Sequence, residues 1–281
     1  MAFIAPRIIT SCFASFSPSA NLLLSTYHNN RYRFPLQSQQ QASKTSMFMS
    51  STAYGGEAGD GRLNLDLLPP HRLPIRATLN DGTKVEVAPF DFDAGDVEIG
   101  MQLMNDVIEE GRAWPFEPTF PTEESYRSYY LSHAAFVVRC VVDNDASELD
   151  KSSSPTHGEV MGTFYVKPNF PGRCSHVCNG GFITDPKFRG SGVGRLMGSS
   201  FLALARDLQY KSAYFNLVFK SNPVSIQLWE SLGFTRVATI PNAARLEGVD
   251  GLDDAYGYYF DLTTLPEEFD PVDYAMKTSN C

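Results

Sequence analysis

The residues with the most definite chemistry stand at Arg189-Gly190-Ser191-Gly192-Val193-Gly194. Glycine at alternate positions lets several backbone N–H groups converge on one small volume without a Cβ in the way. A helix starting there would add its positive N-terminal end. Such a turn suits an anion the size of a pyrophosphate, and Arg189 and Arg195 add cationic charge beside it. A dinucleotide loop would read G-x-G-x-x-G and a P-loop would end in Gly-Lys-Ser/Thr. Neither fits here, and a Gly-rich turn without a ligand is the plain alternative.

Three asparagines come next: Asn179, Asn216 and Asn222. An amide both donates and accepts hydrogen bonds. Each also has a local use, Asn179 in a turn, Asn216 against backbone, and Asn222 as a helix cap before Pro223. His176 lies in Arg173-Cys174-Ser175-His176-Val177-Cys178. Zinc motifs need a second ligand pair that this spacing lacks, so no metal is expected. His176 reads as a loop residue, and Cys174 and Cys178 as small core residues.

The elements that position these groups follow from periodicity. Leu79-Asn80-Asp81-Gly82-Thr83 signals a hairpin, and Lys84–Val87 alternates as a strand. Val97, Met101, Leu103, Met104, Val107 and Ile108 have helical spacing, with Gly111 as the stop. A second helix is predicted over 122–131, capped by Thr122. Strands are predicted at 135–142, 160–166, 181–184, 214–219, near 236–240 and at 255–261. Residues 143–157 read as a polar loop. A helix through Leu196, Phe201, Leu202, Leu204 and Ala205 follows the Gly turn, and another carries Ile226, Leu228, Trp229 and Leu232 to Gly233. The fold class is α+β: one domain over 62–281, core about 84–262, a mixed central sheet flanked by helices.

Residues 1–61 differ. The first 50 contain Arg7, Arg31, Arg33 and Lys44 but no Asp or Glu, a composition like that of an organelle transit peptide. Mitochondrion or plastid is then expected, and the cytoplasm if the segment is a plain tail or if translation starts at Met47 or Met49. The glycines at 55, 56, 59 and 61 read as linker. The chain has 281 residues and a net charge of -9, with 43% hydrophobic and 20% charged residues. That acidity argues against nucleic acid as a partner. Five irregularly spaced cysteines argue against a disulfide framework, and no apolar run is long enough to span a membrane.

Taken together, Pro186-x-x-Arg189-Gly190-x-Gly192-Val193-Gly194, Asn222 and Leu228-Trp229-Glu230-Ser231-Leu232-Gly233-Phe234 resemble the GCN5-related N-acetyltransferase superfamily. The resemblance implies that Ile183, Thr184, Arg189, Gly190, Ser191, Gly192, Val193, Gly194 and Asn222 contact acetyl-coenzyme A. It also implies that the pantetheine arm lies between splayed parallel strands at 180–184 and 214–219. Further blocks at Gly162–Asn169, Arg173–His176, Cys178-Asn179, Gly181-Phe182 and Phe215–Phe219, with Glu109–Pro115, are similar to the L-azetidine-2-carboxylate N-acetyltransferase family. That likeness covers roughly residues 95–265. It implies acetylation of the ring nitrogen of a small imino acid, a role in detoxifying proline analogues and in oxidative-stress tolerance, and a homodimer. It gives Asn179 a substrate contact, Asn216 a place near the thioester, and Phe182 and Leu217 an apolar wall for the ring.

Two departures from the superfamily pattern bear on mechanism. Trp229 stands where many members carry a Tyr that protonates the thiolate, and the strand at 180–184 lacks the Glu that often serves as base. The base is therefore unassigned, with Asn179 and Asn216 expected to position substrate and a relaying water. Acetylation of another amine (a polyamine, an antibiotic, a protein N-terminus) and a catalytically silent acyl-coenzyme-A-binding regulator remain open as alternatives.

Overall fold

A computed structural model describes residues 64–141 and 158–278. Two units divide the chain, Met1–Ala42 and Ser43–Cys281, and all described residues fall in the second. The expected targeting segment, its linker and the loop at 143–157 lie outside the described residues.

In chain order the elements are β1 (Ile75–Thr78), β2 (Lys84–Pro89), α1 (Asp96–Glu110), α2 (Glu123–Tyr130), β3 (Ala134–Cys140), β4 (Val160–Pro168), β5 (Val177–Thr184), α3 (Val193–Asp207), β6 (Ser212–Phe219), α4 (Pro223–Ser231), β7 (Thr235–Ala244), β8 (Asp253–Asp261) and α5 (Pro271–Thr278). The strands form one sheet in the order β1-β2-β3-β4-β5-β6-β8-β7. Every neighbouring pair is antiparallel except β5 and β6. Helix α3 is the crossover that a parallel pair requires.

Local chemistry accounts for the boundaries. Gly82 takes φ 88° in the β1–β2 turn, and the Asp81 carboxylate accepts from the Thr83 N–H at 2.9 Å. Helix α1 stops where the Gly111 N–H turns back to the Ile108 carbonyl at 3.0 Å. Thr122 and Ser125 form a reciprocal capping box on α2. Strands β3 and β4 are buried almost throughout, as a sheet covered on both faces demands.

One core lies under α3, α4 and α5 and includes Phe164, Phe201, Phe215 and Trp229. The other lies under α1 and α2 and includes Met104, Tyr126, Tyr130, Tyr165 and Ile183. On that second face buried Asp96 accepts from Arg139 and from the Asp91 N–H, both at 2.7 Å. Breaking such a buried pair leaves an uncompensated charge.

The sequence reading is extended at three places. β5 begins at Val177, so Asn179 lies within a strand, not in a turn. Asn and two glycines have poor strand propensity, and pairing of β5 with β4 along its whole length overrides it. β1 and α5 also lie outside the expected core range, yet Ile75, Phe269 and Val272 pack on the first core. Cys174, expected inside, is exposed on a single 3-10 turn, whereas Cys178 is buried. No helix among the described residues is long and apolar enough to cross a membrane.

Candidate active site

β5 and β6 pair only at Val177↔Ser212 and Cys178↔Ala213. Beyond that they run on to Thr184 and Phe219 with no ladder between them. Backbone N–H and C=O groups along both inner edges are thus left to face the opening, ready to accept an extended ligand as a further strand. The β6–β8 register also skips between Phe215 and Val218, so Asn216 and Leu217 form a bulge beside the opening.

Three amides hold the mouth of this gap. Asn179 Nδ2 donates to the Tyr214 carbonyl at 3.1 Å, bridging the two strands, and to Asn169 Oδ1 at 3.2 Å. Asn169 and Asn216 exchange a reciprocal pair, Nδ2 to Oδ1 at 3.0 Å one way and 2.6 Å the other. Asn179 and Asn216, read from the sequence as site residues, are therefore brought together, and buried Asn169 is the link that was not read. Its signal was present: a polar residue closing a strand buried at every position.

The Gly-rich turn stands at the far end of β5. Pro186–Phe188 make a 3-10 turn, and Gly190 and Gly192 take φ 84° and 102°, values that favour glycine. Helix α3 then starts on Gly192 with no side-chain cap and no acidic residue in its first turn. Its leading N–H groups are left available to an anion. Arg189 extends to Glu110 at 2.8 Å, and Arg195 donates to the Ser231 hydroxyl at 2.9 Å.

The α1/α2 face of the gap is aromatic. A Cβ on Gly181 would come within 2.4 Å of Trp114 and 2.5 Å of Tyr165, so the strand is flat there because the rings lie on it. Phe116, Phe120, Tyr129 and Tyr165 continue this wall at centroid separations of 5.2 to 6.2 Å. The segment after α1 is tied to the β7–β8 loop by the Glu247 N–H, which donates to the Gly111 carbonyl at 3.0 Å.

A lysine sits in this wall. Lys167 is 1% exposed and pairs with Asn179 in the β4–β5 register. Its Nζ donates to the Tyr129 carbonyl at 3.0 Å and lies 3.7 Å and 4.3 Å from the Tyr129 and Tyr165 ring centroids. Burial pulls its pKa down to about 7. Burial first, and the Lys167 charge second, lower His133 to about 4, so that imidazole is neutral near pH 7. The sequence signal for Lys167 was a lone charge in a strand of otherwise uncharged residues.

Other expected site residues separate by face. Side chains alternate along β5, so Phe182 points away from Asn179 into the first core, against Phe164, Phe201, Phe215 and Trp229. Leu217 packs with Phe219, Leu246 and Ala255 instead. The two do not form one wall, because the period of a strand sends them to different clusters. Ile183 faces the α1/α2 core, and Thr184 lies near Gly194. The Asn222 side chain caps α4, its Oδ1 accepting from the Ser225 N–H at 3.1 Å. Trp229 is 6% exposed within the aromatic core. Among the described residues no group of three or more His, Cys, Asp or Glu side chains is placed to hold a metal ion, and His176 is exposed.

A mixed sheet opened between its only parallel strands, with an uncapped Gly-led helix at the opening, defines an acyltransferase of the N-acetyltransferase type. Residues 106–234 match the acetyltransferase (GNAT) family. The chain is 38% identical over 169 residues to N-acetyltransferase aca1 of Schizosaccharomyces pombe, covering 59% of this chain and 79% of that protein. It is similar in fold to a GCN5-related N-acetyltransferase from Kribbella flavida, with TM-score 0.53 and 24% identity over 63% of this chain and 97% of that one. It is also similar to yncA from Salmonella typhimurium, solved with its cofactor acetyl-CoA, with TM-score 0.52 and 18% identity over 66% and 97% of the two chains. The chain belongs to the GNAT acetyltransferase family and is an N-acetyltransferase.

Proposed function

We propose that this enzyme transfers acetyl from acetyl-coenzyme A directly to the ring nitrogen of a small imino acid of the azetidine-2-carboxylate type. The observation that carries the reading is the Asn169–Asn179–Asn216 cluster at the point where β5 and β6 part. The diphosphate rests on the N–H groups leading α3. The pantetheine amides run along the open strand edges, and the thioester arrives beside Asn216. The imino acid enters at the Asn179–Asn216 end of the gap, bordered by the Trp114 and Tyr165 rings that cover Gly181. Asn179 and Asn216 orient it, and a backbone N–H in the gap receives the developing oxyanion. Nitrogen attacks the carbonyl carbon, the C–N bond forms, and the C–S bond breaks to release coenzyme A.

Exposure of Val237 at 55%, Ile240 at 40% and Tyr259 at 38%, on the edge strand and its neighbour, supports a homodimer through this side of the sheet. Removal of a proline analogue is the physiological outcome this reading favours. The test is thiol release by the purified full chain with acetyl-coenzyme A and a panel of azetidine-2-carboxylate, proline, polyamines and peptides. Turnover is expected with the imino acids. Turnover with peptides or polyamines alone would move the assignment to those amines, and no thiol release with any would favour a silent cofactor-binding regulator.

A further inference from the structure

We propose that Lys167 is the proton acceptor of this transferase, which deepens the function proposed above and rests on the β5–β6 gap being the transfer site. Acetyl transfer to a basic amine needs one, because only the neutral amine has a lone pair to attack with. β5 supplies no carboxylate, and Trp229, packed on Phe182 and Phe215 on the other face of the sheet, offers an indole N–H that only donates. Lys167 is on the correct face. It stands directly across from Asn179 in the β4–β5 register, on the same face of the sheet, and its Nζ lies 4.3 Å from the ring centroid of Tyr165, which borders the proposed place of the substrate.

Burial favours a neutral amine, against two ring faces and one carbonyl that suit the cation. Lys167 has one hydrogen bond, to the Tyr129 carbonyl, and no carboxylate pairs with it among the described residues. The rings of Tyr129 from α2 and Tyr165 from β4 lie against it, His133 approaches from before β3, and Asp96 of α1 is engaged by Arg139. Burial raises Tyr130 above its usual range and lowers His133 far below neutral, so neither suits a base working near pH 7. Lys167, lowered by the same burial to about 7, does. A desolvated lysine without a counter-ion is a recognised form of general base.

The balance is simple. The substrate ammonium gives one proton to neutral Nζ and becomes the free amine. After attack, the second N–H proton leaves the tetrahedral adduct as the C–S bond breaks and the thiolate is protonated. Lys167 then returns its proton to water, so one proton is released per acetyl transferred.

Two variants test this in the full chain. K167M keeps the volume but removes the amine, and K167R keeps the cation but cannot be deprotonated. Thermal melts establish that each is folded. Steady-state rates are read from pH 6 to 9.5 with two substrates, azetidine-2-carboxylate and the less basic 4,4-difluoroproline. Both variants should lose about 100-fold or more in kcat near neutral pH with azetidine-2-carboxylate. Acetyl-coenzyme A affinity should stay within about twofold, the neutral-pH inflection should vanish, and the loss should shrink at least about tenfold with the fluorinated amine. An equal loss with both substrates, or an unaltered pH profile, would overturn the proposal in favour of a packing role. If the unsubstituted enzyme acetylates no imino acid, the substrate reading fails by itself. The comparison at position 167 is then decided with the amine that does turn over, in its more and less basic forms.

Discussion

In the proposed mechanism single side chains decide the chemistry, and their burial explains why. Asn216 shares both polar ends of its amide with Asn169, so its removal strips the mouth of the gap of a donor and an acceptor at once. Asn216→Ala should lower kcat by about 100-fold or more while acetyl-coenzyme A binding changes little. Unchanged turnover in the same assay would remove Asn216 from the mechanism. Lys167 makes a separate demand on stability. Its folded pKa of about 7 lies below the 10.5 of the free side chain, so the unfolded chain binds the extra proton between those values. Stability should therefore rise with pH from about 7 towards 10.5, and the cost of burying the cation is fully present below about 7. Denaturant melts of Lys167→Met against the parent chain should show that slope lost and the variant the more stable at pH 6. Parallel curves would contradict it. At this scale the sequence displayed Asn179 and Asn216 through their neighbours. Asn169 and Lys167 stood in the same run but became site residues only when β4 and β5 aligned.

Among the elements, the β5–β6 pair and the turn into α3 matter most. The Gly turn was legible because its requirement is local: positive φ at alternate residues and a helix to follow. Gly192→Ala should weaken coenzyme A binding by about tenfold or more, since an alanine at φ 102° is strained and the turn must shift. Titration calorimetry measures this, and unchanged affinity would free the turn from that role. The start of β5 was less legible, because Cys178-Asn179-Gly180-Gly181 looks like a turn until β4 pairs with it. The orientation of Phe182 was hidden for a related reason. Which face a strand residue takes depends on the register of the whole strand, and a slip of one residue inverts it.

At the scale of the molecule, eight strands in one sheet separate two cores, and the gap proposed as the transfer site opens at the one parallel junction. Antiparallel neighbours on either side hold β5 and β6 apart: β4 pairs β5 to Thr184, and β8 pairs β6 as far as Phe219. The opening therefore does not depend on a ligand to exist. The order of strands and helices announced this architecture from periodicity. β1 and α5 did not show, being short and lacking strong patterning; α5 is placed by contact with α3, and β1 by pairing with β2 and contact with α5.

The most direct test of the account is a calorimetric titration of the full chain with coenzyme A and with its 3'-dephospho and pantetheine fragments. Saturable one-to-one binding is predicted for both diphosphate-bearing compounds, with pantetheine much weaker, if the N–H groups at the head of α3 hold the diphosphate as proposed. Equal affinity for all three, or heat from none, would contradict the placement of the donor in the gap between β5 and β6.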